Sequence, residues 1–411
     1  MNTIKNNWQI DQKKMIIFGA GKIGRSFIGQ LFGCAGYKVI FVDVDHKMVD
    51  LLNEKRTYRV VIKGDQESEI LVPNVEAISA LDTSKVAEAI ASAGILSVSV
   101  GKNALAKVAP LIASGLQIRY KQYPDSPIDI ILAENMLDAS GFLKEKLSEN
   151  LPSSYPIDEL VGLVETSIGK MVPIMPLAEL QKDPLVVFAE SYNTLIVDQK
   201  GFKAPIPGVH GLAPKKNIKA WVDRKAFIHN MGHATAAYYG YYKHPEATYM
   251  YEILDDPDVF DFTRATMMQS AAILHVAFSD DFTMNDLTDH IDDLLKRFRN
   301  KALQDTIFRV GQDLHRKLSA NDRFMGAIRL AIQYGKPYEL ILEAMAYGLN
   351  FRAKDEQGNS LLSDIEFLDS LDRNFESTLI ELTHYDRSVD SNIISELSKI
   401  FKRNKYSKRL L

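Results

Sequence analysis

The sequence predicts an α/β protein, a doubly wound parallel sheet followed by a mainly α-helical C-terminal domain. Three observations carry this. Short apolar runs alternate with amphipathic helical segments through the first half, a glycine-rich turn joins the first run to the first helix, and beyond about residue 215 helical periodicity continues while strand-like runs almost cease. The chain has 411 residues, which at roughly 150 per domain suggests two or three domains.

The elements follow in order. A polar N-terminal tail (1–14) precedes Met15–Phe18, a short apolar run that stops at glycine. Residues 22–36 place Ile23, Phe27, Ile28 and Leu31 on one helical face, and Tyr37–Val42 is a second apolar run rich in β-branched and aromatic residues. Strand, turn, helix and strand in about 30 residues make a βαβ unit, whose strands pair in parallel. A helix over 45–55 precedes 58–62 and 69–72, which read as a hairpin around Gly64-Asp65 inserted into the series. The strand Ala77-Ile78, a helix over 83–93, the strand 95–100, a helix over 103–114 and the strand 128–133 continue the alternation. Helices are expected at 259–277, 285–299, 301–317, 322–334 and 337–349. The stretch 203–214, with three prolines and two glycines, suits a linker, so the expected domains are 15–205 and 206–400, followed by a basic, solvated tail over 401–411.

Composition excludes several function classes. With 46% hydrophobic and 25% charged residues the chain is neither disordered nor low-complexity, and a net charge of −4 gives no footprint for a nucleic-acid binder. No apolar run is long enough to span a membrane, and the first 13 residues lack the apolar core of a secretory signal. The single Cys34 fits a reducing compartment, and the expected location is cytoplasmic. The nine histidines show no metal-ligand spacing, so no metal is expected.

Gly19-Ala20-Gly21-Lys22-Ile23-Gly24 is a G-x-G-x-x-G fingerprint in the context that makes it informative, between a strand and a helix of a βαβ unit. The domain is therefore Rossmann-type. The first glycine permits the tight turn, the second lets backbone approach a pyrophosphate, and the third allows close helix–strand packing. Asp43 ends the second strand 19 residues beyond Gly24, where a carboxylate would hydrogen-bond ribose hydroxyls and repel a 2′-phosphate. NAD is thus favoured over NADP, although the fingerprint alone also admits FAD. Gly101 after the strand 95–100 suits close passage beside the nicotinamide half or a plain strand-end turn.

One segment offers reacting groups for a secondary alcohol, Lys225-Ala-Phe-Ile-His-Asn230-Met-Gly-His233. On an α-helix Asn230 and His233 share a face, while Lys225 lies about 12 Å along the axis from His233 and only its long side chain could reach the same point. By its residues alone the segment equally fits a surface lysine beside a core histidine.

Lys225-x4-Asn230-x2-His233 resembles the catalytic motif of the polyol-specific long-chain dehydrogenases, the mannitol dehydrogenase family. The blocks 18–29, 41–45, 133–136, 196–204, 223–240 and 309–323 extend the resemblance over 15 to about 350. It implies a Rossmann domain and a helical domain with the active site between them, and NAD-dependent interconversion of mannitol 1-phosphate and fructose 6-phosphate. It also implies Lys225 as general base, with Asn230 and His233 on the reacting oxygen and Asn135 helping to polarise it. Arg309 and Lys317, with Arg316 as a further candidate, would hold substrate hydroxyls or phosphate. The family contains monomers, and a monomer is the expectation. One departure stands out: relatives commonly carry Asp-Arg before Ile-Val-Pro, where this chain has Gly169-Lys170 before Met171-Val172-Pro173. A lysine offers a point charge in place of a bidentate fork. The same chemistry on a free polyol or a hexuronate, and a catalytically silent nucleotide sensor, therefore stay open.

Overall fold

Alternation within the first strand explains the architecture. The computed structural model describes residues 8–64, 66–134, 136, 138–173, 175–385 and 392–407. Strand β1 (Asp11–Phe18) sends Met15 and Ile17 into one apolar core and Ile16 and Phe18 into another, and β2 (Lys38–Asp43) divides Val39 and Phe41 from Ile40 and Val42 in the same way. A strand buried on both faces needs a layer on each side of the sheet, which helical crossovers between parallel strands supply.

The remaining strands are β3 (Tyr58–Ile62), β4 (Ser68–Val72), β5 (Val75–Ser79), β6 (Ala93–Val98), β7 (Ile128–Leu132), β8 (Val161–Ser167), β9 (Val187–Ala189), β10 (Leu195–Asp198) and β11 (Leu212–Lys215). The main sheet runs β5-β2-β1-β6-β7-β8-β10-β11, and its first six strands are parallel neighbours in the doubly wound order. The order reverses between β1 and β6, the switch point outside which ligands bind in such sheets. The expected hairpin is present as β3–β4, and β9 adds to it in parallel.

Several sequence expectations are corrected. β1 begins at Asp11, inside the segment read as a tail, because Asp11 pairs with Ala93. The supposed linker is partly strand: β11 pairs in parallel with β10 alone and so lies at the sheet edge, where Pro214 removes no needed hydrogen bond. The helix expected over 22–36 is a π-helical segment, Gly24–Gly29, running into a short α-helix, Gln30–Cys34. Residues 401–407 continue a helix, Ile393–Ser407, in which Phe401 packs on Phe375 and Arg403 pairs with Glu343 at 2.7 Å; Lys408 and Arg409 lie outside the described residues.

The chain divides into two compact units, one ending at Ile218 and the other beginning at Lys219. In the second, the helix Met231–Lys243 packs against the helices Pro257–Ala277 and Glu339–Leu349 and buries Tyr238 against Phe324 and Phe351. Among the described residues no helix is long and apolar enough to cross a membrane.

Candidate active site

The glycine turn after β1 is built as its spacing demands. Gly19 has φ +95°, and a Cβ there would lie 2.5 Å from the Ser99 carbonyl oxygen, so no other residue fits. A Cβ on Gly24 would stand 2.0 Å from the Gly19 oxygen, whereas one on Gly21 would meet nothing within 4 Å. The turn is packed tightly at its ends and open in its middle, where a phosphate would approach. Lys22 is exposed there, Ile23 packs onto the core, and Ala20 is buried.

Asp43 has a structural task in the turn. Its Oδ2 accepts the Ala20 N–H at 2.7 Å and its Oδ1 the Asp45 N–H at 2.9 Å, so the carboxylate ties the end of β2 to the glycine turn. Arg25 ties the same turn from within: it is buried, its Nε donates to the Ala20 oxygen at 2.7 Å and its Nη1 to the Leu185 oxygen at 2.5 Å, and burial lowers its pKa. Gly101 lies at φ +82° in open space beyond β6. The N–H groups of Val100 and Gly101 donate to Glu134 Oε1 at 2.7 and 3.0 Å, and burial raises the pKa of that carboxyl. The Ser99 hydroxyl donates to the oxygens of Phe18 and Gly19. Sequence reasoning missed Ser99, Glu134 and Arg25; Arg25, in the block 18–29, and Glu134, in the block 133–136, carried a signal, and Ser99 carried none. Asn135 lies outside the described residues.

Lys170, the residue marked in the sequence as a departure, is buried in the first unit. Its Nζ donates to Asn193 Oδ1 at 2.8 Å and Gln30 Oε1 at 3.3 Å and lies 5.0 Å from the Phe27 ring centre. Two neutral amide oxygens suit a compact ammonium as well as they would a planar fork.

In the second unit the expected α-helical geometry fails at the candidate lysine, Lys225. Lys225–Asn230 is a π-helix, with the Met231 N–H donating to the Ala226 oxygen five residues back. Residues five apart then stand one above the other, so Lys225 falls in line with Asn230, and the α-helix that follows keeps His233 on that side. The α-helical distance of about 12 Å does not apply. Burial, then the positive charge of Arg323, lowers the Lys225 pKa to about 8. Arg323 is itself buried, donating from Nε to Asp322 at 2.8 Å and from Nη1 to the Asn230 carbonyl at 3.2 Å.

His233 stacks on Phe298, with ring centres 4.3 Å apart and planes inclined by 8°, and its Nε2 lies 3.4 Å from Asp305 Oδ2. Burial lowers its pKa against the opposing pull of Asp305. Asp305 in turn accepts from Arg309 on Oδ1, Nε at 2.6 Å and Nη2 at 2.5 Å.

The helix expected over 301–317 is three pieces: Lys301–Leu303, Ile307–Gly311 and Leu314–Lys317. Gln304 and Asp313 have positive φ, and Asp364 accepts the N–H groups of Asp313 and Leu314, so the chain reverses there. The reversal carries the buried Lys317 back onto the Val310 oxygen at 2.6 Å, where burial, then Arg323, lowers its pKa to about 7. Arg316 is held by Asp313 at 2.5 Å and Asp322 at 3.2 Å. Lys225 and Lys317 therefore both feel Arg323 and Arg316, and His233 feels Lys317 and Arg309. Among the described residues, no group of three or more His, Cys, Asp or Glu could hold a metal.

Residues 13–211 match the mannitol dehydrogenase Rossmann domain and residues 217–392 the mannitol dehydrogenase C-terminal domain. The chain belongs to the mannitol dehydrogenase family. Its fold is similar to that of Pseudomonas fluorescens mannitol 2-dehydrogenase, solved as a ternary complex with NAD and D-mannitol. That likeness has a TM-score of 0.70 at 17% identity and covers 99% of this chain and 93% of the other. It is similar also to a D-sorbitol dehydrogenase in substrate-free form, with a TM-score of 0.73 at 15% identity over 97% of this chain and 95% of that one. Within the family's two-domain plan, the glycine turn and Asp43 fall in the Rossmann part, and Lys225, Asn230 and His233 fall in the C-terminal part.

Proposed function

We propose that this NAD-dependent polyol dehydrogenase interconverts mannitol 1-phosphate and fructose 6-phosphate, with Lys225 as the general base. The observation that carries the chemistry is Lys225 itself, a lysine whose surroundings bring its pKa to about 8 and which a π-turn sets in line with Asn230.

The open middle of the glycine turn at Gly21 and the Asp43 carboxylate fit NAD, the turn receiving the pyrophosphate and Asp43 the ribose hydroxyls. NAD, when bound, supplies the hydride acceptor. Neutral Lys225 takes the proton of the reacting hydroxyl, and the amide N–H of Asn230 donates to the oxygen as negative charge develops there. A lysine near pKa 8 serves both directions at neutral pH, because an ordinary lysine would hold its proton too tightly to act as base. Arg309, Arg316 and Lys317 are the groups suited to substrate hydroxyls or to a phosphate.

A second reading, a free polyol as substrate, has an observation of its own. Arg309, Arg316 and Arg323 are already paired with Asp305, Asp313 and Asp322, which offsets much of the positive charge a phosphate would seek. One panel decides between them: mannitol, sorbitol and mannitol 1-phosphate with NAD, fructose, fructose 6-phosphate and fructuronate with NADH. Turnover of mannitol 1-phosphate and fructose 6-phosphate at a kcat/KM at least about 100-fold above the free sugars supports the phosphate reading. Preference for the free sugars overturns it, and tight NADH binding without turnover on any member points to a sensor.

A further inference from the structure

Asp305 carries an unmet requirement that bears on His233. It is 5% exposed, and its two oxygens are treated differently. Oδ1 receives two N–H groups of Arg309. Oδ2 is sealed from solvent and has no hydrogen-bond partner, and the atom beside it, His233 Nε2 at 3.4 Å, is likewise sealed and unpartnered. A carboxylate oxygen can only accept, and an imidazole nitrogen either carries a proton or presents a lone pair. Two lone pairs facing each other in a sealed space would leave both groups unsatisfied. A proton on Nε2, facing Oδ2 at 3.4 Å, turns that contact from repulsive to attractive.

We propose that Asp305 is a positioning residue that keeps the proton of His233 on Nε2 and so leaves Nδ1 as a hydrogen-bond acceptor for a substrate hydroxyl. This rests on the dehydrogenase reading for the nature of the ligand, whereas the tautomer does not depend on it. The stacked Phe298 ring fixes the imidazole plane, so the two nitrogens keep their separate directions. The surface left on the His233 side chain, 14%, does not include Nε2. A neutral imidazole with its proton turned toward Asp305 has no donor for the reacting oxygen. It recognises the O–H of a polyol, and stabilising the developing alkoxide falls to Asn230. The same carboxylate orients Arg309 through its other oxygen, so one buried group sets two residues of the substrate site.

Asp305→Asn tests this directly. Arg309 requires the amide oxygen on its side, which turns the amide N–H toward His233 and drives the imidazole proton to Nδ1. Full-length protein labelled with 15N at histidine, its His233 signals assigned against His233→Asn, reads the tautomer without any substrate. The expected result is Nε2–H in the native protein and Nδ1–H in the variant, with kcat/KM for the polyol falling at least about tenfold while NADH affinity is unchanged. In a His233→Asn background the same change should have almost no further effect on kcat/KM. A native proton on Nδ1 overturns the proposal even if the variant fails to fold. An Asp305→Asn protein with native turnover overturns it too. If no polyol is turned over but the tautomers are as expected, the dehydrogenase reading fails and the Asp305–His233 assignment stands.

Discussion

The acid limb of the pH profile is the sharpest consequence of the site. With Lys225 as the proposed base, alcohol oxidation needs it neutral. With its pKa brought from 10.5 to about 8, the neutral fraction at pH 7 is about one molecule in eleven, against about one in 3,000 for an ordinary lysine. The enclosure is thus worth a factor of about 300 in reactive base, within the ~10²–10⁴ span of general-base catalysis. The assay is kcat/KM for polyol oxidation between pH 6 and 10 with saturating NAD, which reports groups of the free enzyme. It should climb about tenfold per pH unit and level off near pH 8. Replacing Arg323 by Gln removes the nearest positive influence after burial itself, so the Lys225 pKa rises and the limb moves to higher pH. Lys317, brought to about 7, is the rival. A limb retained in the residual activity of Lys225→Ala and lost in Lys317→Ala would transfer the base role to Lys317, and a native limb near 10.5 would refute the desolvation argument.

The glycine turn separates binding from folding. Gly24→Ala must displace the Gly19 carbonyl and should cost about 1–3 kcal/mol, seen as a lowered Tm, whereas Gly21→Ala should melt like the native protein yet bind NADH weakly. Asp43→Ser loses a charged acceptor to the ribose and to the Ala20 N–H, so KM for NAD should rise by about 10- to 100-fold and the preference for NAD over NADP should shrink. Unchanged cofactor selectivity in that variant would remove Asp43 from the ribose role.

The parts of the fold visible in the sequence were those with a periodic or stereochemical signature. The continuous apolar runs of β1 and β2 announce strands covered on both faces, and the glycine spacing announces a turn that Gly19 and Gly24 then occupy at contact distance. What stayed hidden depended on partners remote in sequence. Arg323 reaches Asn230 across the helical unit, and Asp305 meets His233 the same way, so neither spacing nor composition marks them. The apolar positions at 303, 307, 310 and 314 keep helical periodicity although positive φ at Gln304 and Asp313 breaks the chain between them. Both residue types enter that region without announcing it.

The π-turn at Lys225–Asn230 also makes the reactive face a matter of residue count. A helix that accommodates one residue more than its α-helical form can shed it without unfolding, since the flanking helices, Ile218–Arg224 and Met231–Lys243, are regular on both sides. Closing the segment to α geometry with its residue count unchanged would turn Lys225 about 140° away from Asn230, whereas deleting one residue between them would set the two four apart, on one face again. The alignment of the proposed catalytic set thus depends on residue count and turn type together. A chain that kept the residue but lost the wide turn would point its proposed proton acceptor away from Asn230; a chain that lost both would not.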